Sequence, residues 1–112
     1  MATRLAERSC QPCDRGTPPL PPDQVEALLG QLQGWRVEAG KRLVKRFRFR
    51  NFADAVAFVN TIAPIAEAEG HHPDLAVGWG RVDVSLTTHA IGGLSENDFV
   101  LAAKIDRAFG GT

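Results

Sequence analysis

The chain lacks net charge, long apolar runs and any abundance of cysteine or histidine. Thirteen lysines and arginines balance thirteen aspartates and glutamates. That balance argues against duplex nucleic acid or an anionic membrane as a partner chosen by bulk electrostatics. No apolar stretch approaches the roughly 20 residues of a spanning helix. Residues Met1 to Arg8 mix charges and lack the apolar core of a signal peptide. These absences predict a cytoplasmic protein that engages neither nucleic acid nor membrane. Cys10 and Cys13 are then expected to be thiols rather than a disulfide. No segment repeats. A chain of 112 residues has the size of one domain and buries a modest core. A site on so small a body is expected at a rim or a subunit boundary.

What is present divides in two. Residues 1–21 carry Cys10-Gln11-Pro12-Cys13 and then Pro18, Pro19 and Pro21, a density of proline that disfavours helix and central strand. This segment is expected to be an irregular arm, and residues 22–112 the folded domain. Val25, Leu28, Leu29 and Leu32 recur at helical spacing over Asp23 to Leu32. Trp35 to Val37 and Lys41 to Phe49 read as two strands. In the second, Leu43, Phe47 and Phe49 share one face and Arg46, Arg48 and Arg50 the other. Lys45 interrupts the apolar face, either to protect a sheet edge or to meet a ligand. Asn51 is a candidate cap for a long helix to about Glu69, built on Phe52, Ala55, Val56, Val59, Ile62, Ala63 and Ala66. Pro64 should kink or break it, and Gly70 should stop it. Val82, Val84 and Leu86 alternate with Arg81, Asp83 and Ser85 as a half-buried strand. Ser95 to Asp98 resembles a capping box ahead of a last helix through Phe99, Leu101, Ala102, Ile105 and Phe109. The order helix-strand-strand-helix-strand-strand-helix predicts an α+β fold: one four-stranded antiparallel sheet with three helices on one face.

The candidate chemistry lies with three histidines. His71 and His72 are adjacent, at a helix end before Pro73, where the turning backbone lets both point one way. His89 falls by strand parity on the Arg81/Asp83/Ser85 face, away from the core. Imidazole, with an unperturbed pKa of about 6.5, both donates and accepts protons near neutrality. Elimination of water needs one group to protonate the leaving hydroxyl and another to take a proton from the adjacent atom. Glu67, one turn before His71, is placed to contact it. Surface or packing roles are the ordinary alternative for any one histidine. A zinc site from Glu67, His71, His72 and His89, or from the cysteine pair, is chemically permissible, but the spacing matches no familiar zinc pattern. Trp35 and Trp79 are read first as core residues, or as walls of an aromatic ligand site. Phe47, Phe49, Phe52 and Phe58 are read as core.

Taken together, Glu67, His71-His72-Pro73, Trp79, His89 and Asp98 resemble the signature of the pterin-4a-carbinolamine dehydratases. Gly34-Trp35, the run Lys45 to Phe49 with Asn51-Phe52, and Thr88-His89 leading to Gly93-Leu94-Ser95 extend the resemblance over about residues 22–109. It implies dehydration of 4a-hydroxytetrahydropterin to quinonoid dihydropterin without metal or cofactor, in recycling the pterin of aromatic amino acid hydroxylases. It implies His71 and His89 as the main acid/base pair and His72 as a pocket residue that binds pterin or its hydroxyl. Glu67 and Asp98 would orient imidazoles or bind polar ring atoms. Trp35 would wall the pocket, with Pro73 beside it. It also implies dimers joined edge to edge into an eight-stranded sheet, with tetramers in some members. The pattern departs from animal members at Gly70, where they carry an acid, and at Asn97, where they carry a base. Bacterial members often share both features and a Cys-x-x-Cys arm. One related branch serves the α-carboxysome as a non-catalytic RuBisCO assembly factor, which is the alternative the resemblance leaves open. In animal members a second role, as dimerisation cofactor of a homeodomain transcription factor, goes with a different arm.

Overall fold

The computed structural model describes residues 2–11 and 16–110. Its elements are α1 (Ala2–Glu7), α2 (Pro22–Leu29), β1 (Arg36–Glu38), β2 (Arg42–Arg48), α3 (Phe52–Glu69), β3 (Asp74–Gly78), β4 (Arg81–Leu86) and α4 (Glu96–Phe109), with a 3-10 turn over His89–Ile91. The strands form one antiparallel sheet in the order β1-β2-β4-β3. Period-two alternation gives this sheet two unlike faces. Leu43 and Phe47 of β2 and Val82, Val84 and Leu86 of β4 are buried together with Phe58 and Ile62 of α3 and Phe99, Leu101 and Ile105 of α4. Each such side chain, fully removed from water, contributes about 1.5–3 kcal/mol. The opposite face carries Arg46 and Asp83, paired at 2.6 Å, and remains open.

Local signals place the helices. Asn51 accepts from the Asp54 amide at 2.7 Å and caps α3, as its polar side chain before an apolar run predicts. Gly70 ends α3 in the left-handed region, φ 65°, a conformation that costs glycine little and other residues more. Pro64 produces no break: α3 is continuous through it. The bond that its missing N–H forfeits is to the carbonyl of Asn60. Both residues are exposed, so water can serve that oxygen. Helix α2 stops at Leu29, earlier than Leu32, although Leu32 still reaches the core.

Several expectations are corrected. The arm is not irregular throughout, because residues 2–7 form α1 and its Leu5 and Ala6 join the main buried cluster. The prolines that disfavour helix all lie downstream of that apolar pair. Residues 17–20 form neither helix nor strand, as expected, while Cys13 lies outside the described residues. Lys45 guards no edge, since β2 is an inner strand. Its ammonium points to the helix side and donates to Asp106 Oδ1 at 2.9 Å and to the Gln33 carbonyl at 3.0 Å. The other Asp106 oxygen accepts from the Trp35 indole at 2.9 Å. One carboxylate of α4 thus ties down β2 and the approach to β1. Phe52 is 52% exposed and Trp79, in the β3–β4 turn, 71% exposed; neither is a core residue. At both positions the side chain sits at an element end, beyond the reach of the opposing layer.

Candidate active site

Three loops meet at one end of the sheet. After Gly70 the chain leaves α3 with the His71 amide still bonded to the Ala66 carbonyl at 3.3 Å, so the histidine pair starts from a fixed helix end. Beyond β4, Thr88 pairs with Gly93, and the residues between them form the tight turn that carries His89. That turn closes at Gly92, again left-handed with φ 67°. The strand parity used to place His89 therefore does not apply, because β4 ends at Leu86; His89 is exposed because it rides on the turn. The third stretch is the start of α4. His71, His72 and His89 line one concavity of about 290 Å3 together with Thr88, Gln11 and Asn97.

Asp98 organises the concavity from beneath. It is the third residue of α4 and 0% exposed. Its Oδ1 contacts His71 Nε2 at 2.6 Å. Its Oδ2 accepts from the Thr88 hydroxyl at 2.9 Å and from the Ser95 amide at 3.0 Å, the latter being the carboxylate half of a capping box. Ser95 Oγ meets Thr88 Oγ1 at 2.8 Å. A carboxylate only accepts, so His71 Nε2–H is the donor of this bond. The His71 side chain is 13% exposed, enough to meet a ligand and little enough to stay oriented.

The second contact differs from expectation. Glu67 bonds the Nε2 of His72, not His71. Both partners are well exposed, and an exposed pair of this kind holds its geometry only weakly. The His89 imidazole makes no hydrogen bond among the described residues; only its carbonyl does, accepting from the Gly92 amide at 3.2 Å. Trp35 does not wall the concavity: it is 6% exposed in the core, edge-on to Phe47 and bound to Asp106. Pro73 does not line it either; it lies between His72 and the first residue of β3. Among the described residues no three histidine, cysteine, aspartate or glutamate side chains gather as a metal-binding group.

A larger groove, about 680 Å3, runs over the open face of the sheet. Among its charged groups, Arg46 pairs with Asp83 and Arg36 with Glu38. The Asp83 carboxyl is held below the usual carboxylate range chiefly by its bond from Arg46. The groove holds no histidine, whereas the smaller concavity gathers all three.

Gln11 and Asn97 were not expected there as site residues. Asn97 stood out only as a departure from a familiar pattern, and Gln11 not at all. Asn97 comes from the first turn of α4, while Gln11 arrives through the arm, whose Cys10 amide donates to Glu69 Oε1 at 2.8 Å. Burial pushes the Cys10 thiol up to about 12, and the nearby Glu69 carboxylate adds to the effect. Cys10 is therefore expected to resist iodoacetamide at pH 7.5 in the native protein and to react once unfolded. Mass spectrometry that resolves its modification from that of Cys13 checks this, and rapid native labelling at Cys10 would refute it. The raised value also sets a sign. Ionisation of the thiol in the unfolded chain begins near its ordinary value of 9.0. Stability from this site is complete below that pH and is lost as pH rises towards 12.

The family model for pterin 4 alpha carbinolamine dehydratase matches residues 18–108. A protein of Rubrobacter xylanophilus is 50% identical over 105 residues, covering 94% of this chain and 98% of that one. One of Nitrosomonas eutropha is 52% identical over 103 residues, covering 91% and 90%. Both carry the provisional name pterin-4-alpha-carbinolamine dehydratase. Among solved structures, a transcriptional coactivator/pterin dehydratase of Brucella melitensis superposes with TM-score 0.76 at 32% identity, over 80% of this chain and 97% of its own. A pterin dehydratase-like protein described as a RuBisCO assembly factor of the α-carboxysome gives TM-score 0.60 at 30% identity, over 70% and 92%.

Proposed function

Because the chain belongs to the pterin 4 alpha carbinolamine dehydratase family, whose relatives at about half identity are named as dehydratases, we propose that it removes water from a 4a-hydroxytetrahydropterin by histidine acid/base catalysis. The observation that carries this reading is the convergence of three imidazoles on one concavity, with a buried carboxylate bonded to one of them.

In this scheme His71 is the base. Asp98 holds its Nε2–H and stabilises the imidazolium that forms when Nδ1 takes the proton from the ring atom beside the hydroxyl-bearing carbon. His89 is the acid and protonates the departing hydroxyl. The C–O bond breaks, water leaves, and the electron pair released by deprotonation closes the new double bond of the quinonoid dihydropterin. Charge is conserved, and proton exchange with solvent resets both imidazoles. No metal or cofactor is called for. His72, steadied by Glu67, binds the ring or its hydroxyl. The product would feed a reductive recycling of the pterin of aromatic amino acid hydroxylases. A second copy would add to the sheet at one of its outer strands, β1 or β3, giving a dimer and, by further pairing, a tetramer.

The test is whether added carbinolamine decays faster at neutral pH with the protein than without it. A rate equal to the spontaneous one would remove the reading. It would favour instead the assembly role named for the RuBisCO assembly-factor neighbour, which superposes less well and over less of the chain. No helix among the described residues is long and apolar enough to cross a membrane.

His72→Ala separates binding from turnover. Loss of one hydrogen bond to the ligand should raise KM about 10-fold and change kcat by no more than about threefold. Steady-state kinetics on both parameters checks it; a larger fall in kcat than rise in KM would count against the assignment.

A further inference from the structure

The described part of the N-terminal arm ends at the rim of the histidine concavity, and it is held there. Upstream, the carbonyl of buried Ala6 accepts from Lys104 and from Arg107, each at 2.8 Å. Arg8 pairs with Glu96. The Cys10 thiol donates to the Asn97 carbonyl at 3.7 Å. Asn97, 8% exposed, then binds both main-chain groups of Gln11. Its Oδ1 accepts from the Gln11 amide at 2.8 Å, and its Nδ2 donates to the Gln11 carbonyl. A single carboxamide thus does for residue 11 what a neighbouring strand would do. With its backbone fixed on both sides, Gln11 lines the concavity beside His71, His72 and His89. Burial of Leu5 and Ala6 already anchors α1, so anchoring alone leaves the register of residue 11 unexplained.

We propose that Gln11 is a substrate-contacting residue of this site that selects for the pterin ring, and that Asn97 is the positioning residue that sets it there. The inference rests on the dehydratase reading above. A carboxamide presents an N–H donor and a carbonyl acceptor in one plane. The aminopyrimidinone edge of a pterin presents the complementary pair. The histidines act on the hydroxyl-bearing carbon, while Gln11 grips the ring's far polar edge. Such a contact is equally present in substrate and transition state, so it acts on KM and not on kcat.

The experiment uses the full chain, a 6-methyl carbinolamine for turnover and 6-methyl dihydropterin for equilibrium binding. Neither compound offers Gln11 a hydroxylated side chain, so any effect belongs to the ring edge. If the wild-type protein neither turns over nor binds, the dehydratase reading fails and this one with it. In an active protein, Gln11→Ala should raise KM and Kd about 10-fold, keep kcat within about threefold and leave the melting temperature unchanged. Asn97→Ala should raise KM by a similar factor, and the double variant should be no worse than the more impaired single one, because the two act as one unit. Wild-type-like KM and Kd for Gln11→Ala in an active protein would overturn the proposal and leave the dehydratase reading standing. A fall in kcat without a rise in KM would overturn it equally. Should Asn97→Ala fail to fold, Gln11→Ala on its exposed residue decides the question alone.

Discussion

Alanine at His71 is expected to lower kcat by about 10²- to 10⁴-fold, the span a positioned proton-transfer group supplies. His89→Ala should fall in the same range. The two losses should not add, because base and acid act in one step: with either gone, the other has little left to assist. Rates of carbinolamine decay for both single variants and the double one check this. Should either single variant retain a rate within about threefold of wild type, its imidazole is not one of the pair. The expectation is asymmetric in stability. His71 is nearly buried against Asp98, whereas His89 is exposed and its imidazole makes no hydrogen bond among the described residues. His89→Ala should therefore leave the midpoint of urea unfolding where it was.

The second large effect is expected at Asp98, and it should fall on folding as well as on rate. Removing this carboxylate strands the Thr88 hydroxyl, the Ser95 amide and the His71 Nε2–H around a site with no exposure to water. Leaving a buried donor unpaired costs about 1–3 kcal/mol, and some of these three will find water or one another. Asp98→Ala should thus lose about 2–5 kcal/mol of stability. Asp98→Asn keeps the shape and separates the two roles. Its amide can accept at one position only, so either the helix cap or the His71 tautomer suffers. A fall in kcat of about 100-fold with smaller destabilisation is expected. Urea unfolding with steady-state kinetics on both variants checks the pair. Full stability in Asp98→Ala would mean that the network contributes nothing, and an active, destabilised Asp98→Asn would free His71 from its dependence on the carboxylate.

Much of this site could be read from residue spacing, because local rules govern the parts. Ser95 to Asp98 has the form of a capping box, and a capping box places its acid on the first turn of a helix, facing back towards the preceding loop. Gly70 and the His-His-Pro run mark a helix end at which adjacent side chains can converge. The alternation of Val82, Val84 and Leu86 assigns the faces of β4 without further knowledge. What escaped depends on neighbours distant in sequence. Lys45 lies on an inner strand because β4 pairs beside β2, an order no periodicity contains, and its partner Asp106 is 61 positions away. Trp35 has the composition of a pocket wall, but its indole finds that same aspartate. Phe52 and Trp79 are apolar and yet exposed, since type and period describe a side chain and not the layer above it. Gln11 is the extreme case: 86 positions separate it from Asn97, and only folding brings the arm to the rim. Its proline-rich continuation obscured the short helix that begins it.

The central claim is that the histidine concavity, and not the wider groove on the open sheet, receives the pterin. NMR titration with an unreactive dihydropterin tests it directly, by following the imidazole resonances of His71, His72 and His89 alongside the Nε resonance of Arg46 in the groove. All three imidazoles should shift and saturate with one dissociation constant while Arg46 stays still. Saturable movement of Arg46 with the imidazoles unmoved would contradict the account.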